Sequence, residues 1–217
     1  DIAAILDPAF YAFNSKRKKT LKLYPGVLEG LETLHDAGVT IVAHTESRLY
    51  AVVDRLTRLQ LTDFFKHIYC RERPRTFHPN PISGNTWLSK FPTQKVFELS
   101  HHQRKPNPEV LLEICQREGI NPTSAVYVGD SIARDILMAK RAGCFSAWAK
   151  YGALNRKEEY EKLVRITHWT SEDVQREQKL KAEARTIKPD LVLANEFSEV
   201  LGAFDLDPPR IRTHAAE

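Results

Sequence analysis

The sequence predicts an α/β protein, a three-layer fold of Rossmann type with a parallel sheet covered by helices on both faces. Two observations carry that prediction. Apolar segments of five to seven residues alternate with longer segments whose apolar residues recur at helical spacing. Such alternation packs stably as parallel strands joined by crossover helices. The helical segments also begin and end on residues that start and stop helices.

In chain order, residues 1–22 read as the last helix of a smaller, preceding domain that leads into the sheet. "GVLEGLETLHDAG" (26–38) carries Val27, Leu28, Leu31 and Leu34 at helical spacing, closed by Gly38. "GVTIVAH" (38–44) is a buried strand and "FKHIYC" (65–70) a weaker one. "NPEVLLEICQREG" (107–119) is a helix with Asn107 as N-cap, Pro108 at its first position and Gly119 at its end. "SAVYVG" (124–129) is a strong strand, followed by the helix "IARDILMAKRAG" (132–143) closed by Gly143. "CFSAWA" (144–149) and "DLVLA" (190–194) complete the sheet, and Phe197, Val200, Leu201 and Phe204 are spaced as a final helix. Two stretches break the rhythm. Residues 71–104 are rich in Pro, Arg and His and exceed a normal connection, while residues 153–187 are charged enough to form exposed helices. The tail from Asp205 to Glu217 reads as flexible, and no internal repeat is present.

Composition narrows the function classes. A hydrophobic fraction of 42% and a charged fraction of 28% are those of a globular protein. The net charge of +4 is too weak to argue for nucleic acid, and no apolar run approaches the roughly 20 residues of a membrane span. Cys70, Cys115 and Cys144 are widely spaced with no CxxC, which argues against a metal cluster or a disulfide framework and for a reducing, cytoplasmic setting.

In open α/β sheets, ligands sit beyond the carboxyl ends of the strands. Thr45 follows one predicted strand; Asp130 follows another, after Gly129, which would let the backbone approach a ligand. Asp135 sits in the first turn of the next helix, and Lys105 just before the helix at Pro108. Each has an ordinary explanation as a cap, a surface charge or a strand end. Together, a hydroxyl, an ammonium and two carboxylates on one rim suit a phosphoryl group with Mg²⁺, the carboxylates holding the cation through oxygen.

"YPGVLEGLETLHDAGVTIVAHTES" and "KPNPEVLLEICQREGINPTSAVYVGDSIARDILMAKRAGC" resemble the second, third and fourth motifs of the haloacid dehalogenase-like (HAD) hydrolase superfamily, in its phosphoglycolate phosphatase-like branch. The resemblance covers roughly residues 24–70 and 104–150, plus "KPDLVLANEFSEVL". It implies a HAD-like core at 23–204 with insertions at 71–104 and 153–187, and the C-terminal part of a helical cap at 1–22. It implies a Mg²⁺-dependent phosphomonoesterase acting on a small phosphorylated metabolite through an aspartyl-phosphate, as a monomer or homodimer without nucleic-acid or membrane partners. Lys105, Thr45 and Asp135 are then catalytic, Thr45, Glu46 and Lys105 bind substrate, and Asp130 and Asp135 hold the metal.

The family's first motif, DxDx(T/V), supplies the nucleophile and the general acid-base, and it is not visible. Asp7 is followed by alanine at position 9, and Asp205-x-Asp207 is followed by Pro208-Pro209. The family's first strand lies between the strand at Thr45 and the strand at Asp130, so the nucleophile is expected upstream of residue 1. A catalytically inactive binding or regulatory protein on the same fold is the alternative. Dehalogenation is a weaker one, because it does not need a metal site.

Overall fold

The computed structural model describes residues 18–72, 91–153 and 170–206, with Pro8, Tyr11–Phe13, Ser15 and Lys16 besides. Half of the expected cap segment, including Asp7, residues 73–90 of the first insertion, residues 154–169 of the second and residues 207–217 of the expected tail, including Asp207, lie outside the described residues.

The strands are β1 (Val42–Arg48), β2 (His67–Arg71), β3 (Val96–Leu99), β4 (Val126–Gly129), β5 (Phe145–Ala149) and β6 (Leu191–Leu193). All observed pairings are parallel. They form two three-stranded sheets, in the orders β1-β2-β3 and β4-β5-β6. Among the described residues, no backbone ladder joins β1 to β4, so both are sheet edges. The helices are α1 (Val27–Asp36), α2 (Leu49–Arg58), α3 (Pro108–Glu118), α4 (Leu137–Ala142) and α5 (Ser171–Glu183).

Period-two alternation in β2 sets two layers of helix against the first sheet. Ile68 and Cys70, fully buried, face Leu49, Val52 and Val53 of α2. Tyr69, between them, faces Val110 and Ile114 of α3. The second sheet repeats the scheme. Val126, Val128 and Ala147 pack with Leu34 of α1, while Tyr127 packs with α3 and α4 through Leu111, Met138 and Ala139. Helix α3 therefore lies across both sheets, and each buried aliphatic side chain on it contributes on the order of 1.5–3 kcal/mol. Its ends are built as the sequence predicts: Asn107 Oδ1 accepts from the Glu109 N–H at 3.1 Å, and Gly119 closes it at φ 71°.

Several boundaries differ from expectation. β1 begins later than predicted and runs on to Arg48, so Thr45 lies inside the strand rather than after it. Its register with β2 breaks between His44 and Arg48, a bulge that takes Thr45, Glu46 and Ser47 out of the ladder. β3 and α2 are not among the predicted elements. The predicted helix 132–143 splits into a five-residue π-turn, Ile132–Ile136, and the α-helical α4. The final helix is a 3₁₀ turn, Phe197–Ala203. Gly26, at φ 70°, and Gly30 pack so closely on Ser198 and Phe197 that added Cβ atoms would sit 2.6 and 2.7 Å from them.

Candidate active site

The carboxyl ends of β1 and β4 and the loop before α3 converge on one ion pair. Lys105 Nζ lies 2.8 Å from Asp135 Oδ1, with side-chain exposures of 14% and 6%. Three features hold Asp135 there. The π-turn widens the first turn of the helix, with both Asp135 and Ile136 N–H donating to Ser131 O. The Ser131 N–H donates to Asp135 Oδ2 at 3.0 Å. Gly129 leaves the space that the carboxylate occupies; a Cβ on Gly129 would collide with Cβ and Cγ of Asp135. The glycine thus makes room for Asp135, whereas the sequence pattern suggested room for a ligand.

Lys105 is fixed at both main-chain atoms as well as its ammonium. Its N–H donates to Glu46 Oε1 at 3.0 Å, its carbonyl accepts from Arg176 Nη2 at 3.1 Å, and Nζ lies 3.4 Å from His44 O. Burial opposes its charge, but the Tyr127 phenol and the Asp135 carboxylate outweigh burial and hold the ammonium protonated beyond the ordinary lysine range. Thr45 sits in the β1 bulge beside this group, its Oγ1 accepting from the Ser47 N–H at 3.1 Å.

The structure adds two residues that the motif spacing does not single out. The Tyr127 hydroxyl shares a hydrogen bond with His44 Nδ1 at 3.1 Å and donates to Asp135 Oδ1 at 3.4 Å. Burial and then the Lys105 charge push the His44 pKa down to about 3, so the imidazole is neutral at pH 7. The cue for both lay in the sequence: a polar residue inside an otherwise apolar strand, His44 in "TIVAH" and Tyr127 in "AVYVG". His44 and Tyr127 also bring β1 and β4 together where no ladder does.

Asp130 stands at the mouth of the group, its main-chain carbonyl accepting from Trp148 Nε1 at 3.0 Å. Desolvation, then the nearby Asp135 charge, raise its carboxyl above the ordinary aspartate range. A carboxylate shifted in that direction is one that a cation would relieve, so Asp130 fits a metal ligand. Asp135 is already engaged by Lys105, Tyr127 and Ser131. Among the described residues, no three His, Cys, Asp or Glu side chains gather as a metal cluster, and no helix is long and apolar enough to cross a membrane.

Residues 4–143 match the sequence profile of haloacid dehalogenase-like hydrolases, and residues 102–196 a second, HAD-hydrolase-like profile. The chain is 33% identical over 134 residues to a phosphoglycolate phosphatase of Vibrio vulnificus, a match covering 62% of the chain and 46% of that protein. It is 27% identical over 144 residues to a glyceraldehyde 3-phosphate phosphatase of Methanopyrus kandleri, covering 66% of the chain and 50% of the relative. The matched part thus spans about half the length of these curated relatives. Among solved structures, a predicted phosphoglycolate phosphatase from Haemophilus somnus superposes with a TM-score of 0.52 at 21% identity, covering 88% of this chain and 63% of that one. At that identity the likeness establishes the α/β fold alone.

Proposed function

This chain belongs to the haloacid dehalogenase-like hydrolase family, and we propose that it forms the phosphoryl-binding core of a Mg²⁺-dependent phosphomonoesterase acting on a small phosphorylated metabolite. The observation that carries the reading is the ion pair between half-buried Lys105 and buried Asp135, with exposed Asp130 beside it. A buried ion pair is a poor way to stabilise a fold, since well-packed apolar residues do as well or better. Its natural use here is to present a fixed ammonium to an anion.

In this reading Lys105 and the Thr45 hydroxyl hold the phosphoryl oxygens. Asp135 and Glu46 orient Lys105, one at its ammonium and the other at its N–H. Asp130 would hold Mg²⁺, which would neutralise charge on the phosphoryl group. In this reading the nucleophile is the carboxylate of an aspartate on a strand between the open edges of β1 and β4. It attacks phosphorus, the ester oxygen leaves as an alcohol after taking a proton, and water then releases inorganic phosphate and restores the carboxylate. The names of two relatives, a phosphoglycolate phosphatase and a glyceraldehyde 3-phosphate phosphatase, support a substrate among small phosphorylated acids and sugars. The test is p-nitrophenyl phosphate hydrolysis by the full-length protein with and without Mg²⁺. Mg²⁺-dependent turnover that falls by roughly 100-fold or more in Asp130→Asn supports the reading; unchanged turnover in that variant refutes it.

A further inference from the structure

The rim beside Lys105 opens into a cleft of about 230 Å³ lined by Arg71, Arg104, Arg134 and Arg176, with Glu46 and Glu177. Four guanidinium groups against two carboxylates leave an excess of two positive charges. The carboxylates are already engaged. Glu46 accepts from the Lys105 N–H at 3.0 Å and lies 3.7 Å from Arg134 Nη1. Glu177 lies 4.0 Å from Arg134 Nη2 and 2.9 Å from Lys181 Nζ. Arg176 uses one N–H on the Lys105 carbonyl at 3.1 Å. Among the described residues, neither Arg71 nor Arg104 pairs with a carboxylate, although both are half-buried. A half-shielded guanidinium without a counter-charge is costly, and its planar fork of donors matches a carboxylate or phosphate.

The cleft and the phosphoryl site share one piece of main chain. The Lys105 N–H is held by Glu46 and its carbonyl by Arg176, both of which line the cleft. A ligand whose phosphoryl group meets the Lys105 ammonium therefore has the arginines alongside. We propose that Arg71 and Arg104 bind a second anionic group of the same substrate, so that the preferred substrate is a phosphomonoester also carrying a carboxylate or a second phosphoryl group. The inference rests on the reading of Lys105 and Thr45 as the phosphoryl site. It separates the two kinds of relative by chemistry, since phosphoglycolate carries a second anion and glyceraldehyde 3-phosphate does not.

The test uses phosphonates, whose P–C bonds are not hydrolysed, titrated calorimetrically into the full-length protein at fixed free Mg²⁺. The probes are methylphosphonate, with one anionic group, phosphonoacetate, with an added carboxylate, and methylenediphosphonate, with a second phosphoryl group. The expected result is that one of the doubly anionic probes binds at least tenfold tighter than methylphosphonate, and which one identifies the second group. Arg71→Gln with Arg104→Gln should abolish that preference while leaving methylphosphonate affinity unchanged. Equal affinity of all three probes for the unaltered protein overturns the inference without touching the phosphoryl-site reading. Binding of none of them overturns both.

Discussion

The molecule buries two carboxylates of similar depth at opposite ends of its strands. Asp135 stands at the carboxyl rim with a side-chain exposure of 6%, and Glu118 beneath the start of β2 with 3%. Glu118 is surrounded by donors: Tyr69 OH and His67 Nδ1 lie 2.6 Å from Oε1, and Lys66 Nζ 3.1 Å from Oε2. Its Oε2 is buried with the Lys66 ammonium beside it but without a hydrogen bond of its own. Asp135 instead holds Lys105 beside a second carboxylate, Asp130, which is itself shifted upward. Helix α3 connects the two places, beginning three residues after Lys105 and ending on Glu118. Burial of a charge thus does not single out the candidate site; a second carboxylate beside the pair, Asp130, does.

The largest test of that contrast is Lys105→Met. It should lower phosphatase kcat/KM of the full-length protein by about 100- to 1,000-fold and cost about 3–5 kcal/mol of stability, because Asp135 loses its counter-charge. Adding Asp135→Asn should return most of the stability, measured by denaturant unfolding, and none of the activity. A single variant as stable as the parent would show that the pair is not desolvated.

Gly129→Ala comes next. The added methyl group has to displace Asp135, so about 1–3 kcal/mol of stability should be lost, with activity falling alongside. Thermal unfolding and turnover measured on the same sample would show whether the two losses coincide.

Glu118→Gln should cost a similar 1–3 kcal/mol by breaking the donor cluster yet leave kcat essentially unchanged. A kcat loss comparable to that of Lys105→Met would abolish the contrast. Burial works against the Glu118 charge, but Tyr69, His67 and Lys66 outweigh it and hold the carboxyl below its ordinary pKa of 4.5. A depressed folded pKa means that the unfolded chain binds the proton first. The stability from this group is therefore present above pH 4.5 and is lost as the pH falls through the lower folded value. Stability measured against pH below 4.5 should fall less steeply in Glu118→Gln than in the parent. The smallest effect belongs to the exposed Arg58–Asp54 pair at 2.8 Å, one helical turn apart on α2. Arg58→Ala should change stability by less than about 0.5 kcal/mol.

The candidate site was largely legible because its residues sit at fixed offsets from strand ends. The Gly129-Asp130 step with Asp135 beyond it, and Lys105 before Pro106, can be read without knowing any long-range contact. The π-turn that delivers Asp135 to Lys105 left no comparable mark, since "IARDI" has the composition of an ordinary helix. β3 was obscured by the Pro- and Arg-rich stretch in which "VFEL" is embedded, though it pairs in register with β2. The Glu118 cluster depends on His67 and Tyr69, about fifty positions away, and only the folded chain brings them together. The same holds for Arg176, whose place beside Lys105 follows from α5 docking against the π-turn.

The close fit of α1 on the 3₁₀ turn has a kinetic side. The first sheet and α2 come from one continuous stretch of chain, residues 42–99, so each strand pairs with the next one along, as Val42 with His67 and Ile68 with Val96. The second sheet needs a much longer closure. Its core needs Leu34 from near the start of the described chain to meet Val200 from near its end. Gly26 and Gly30 let the two ends approach closely, since a Cβ on either would collide with Ser198 or Phe197. Contacts between such distant positions are slow to form because the chain entropy is lost before they give any return. The second half of the molecule, with Asp130 on it, should therefore be the last to become native.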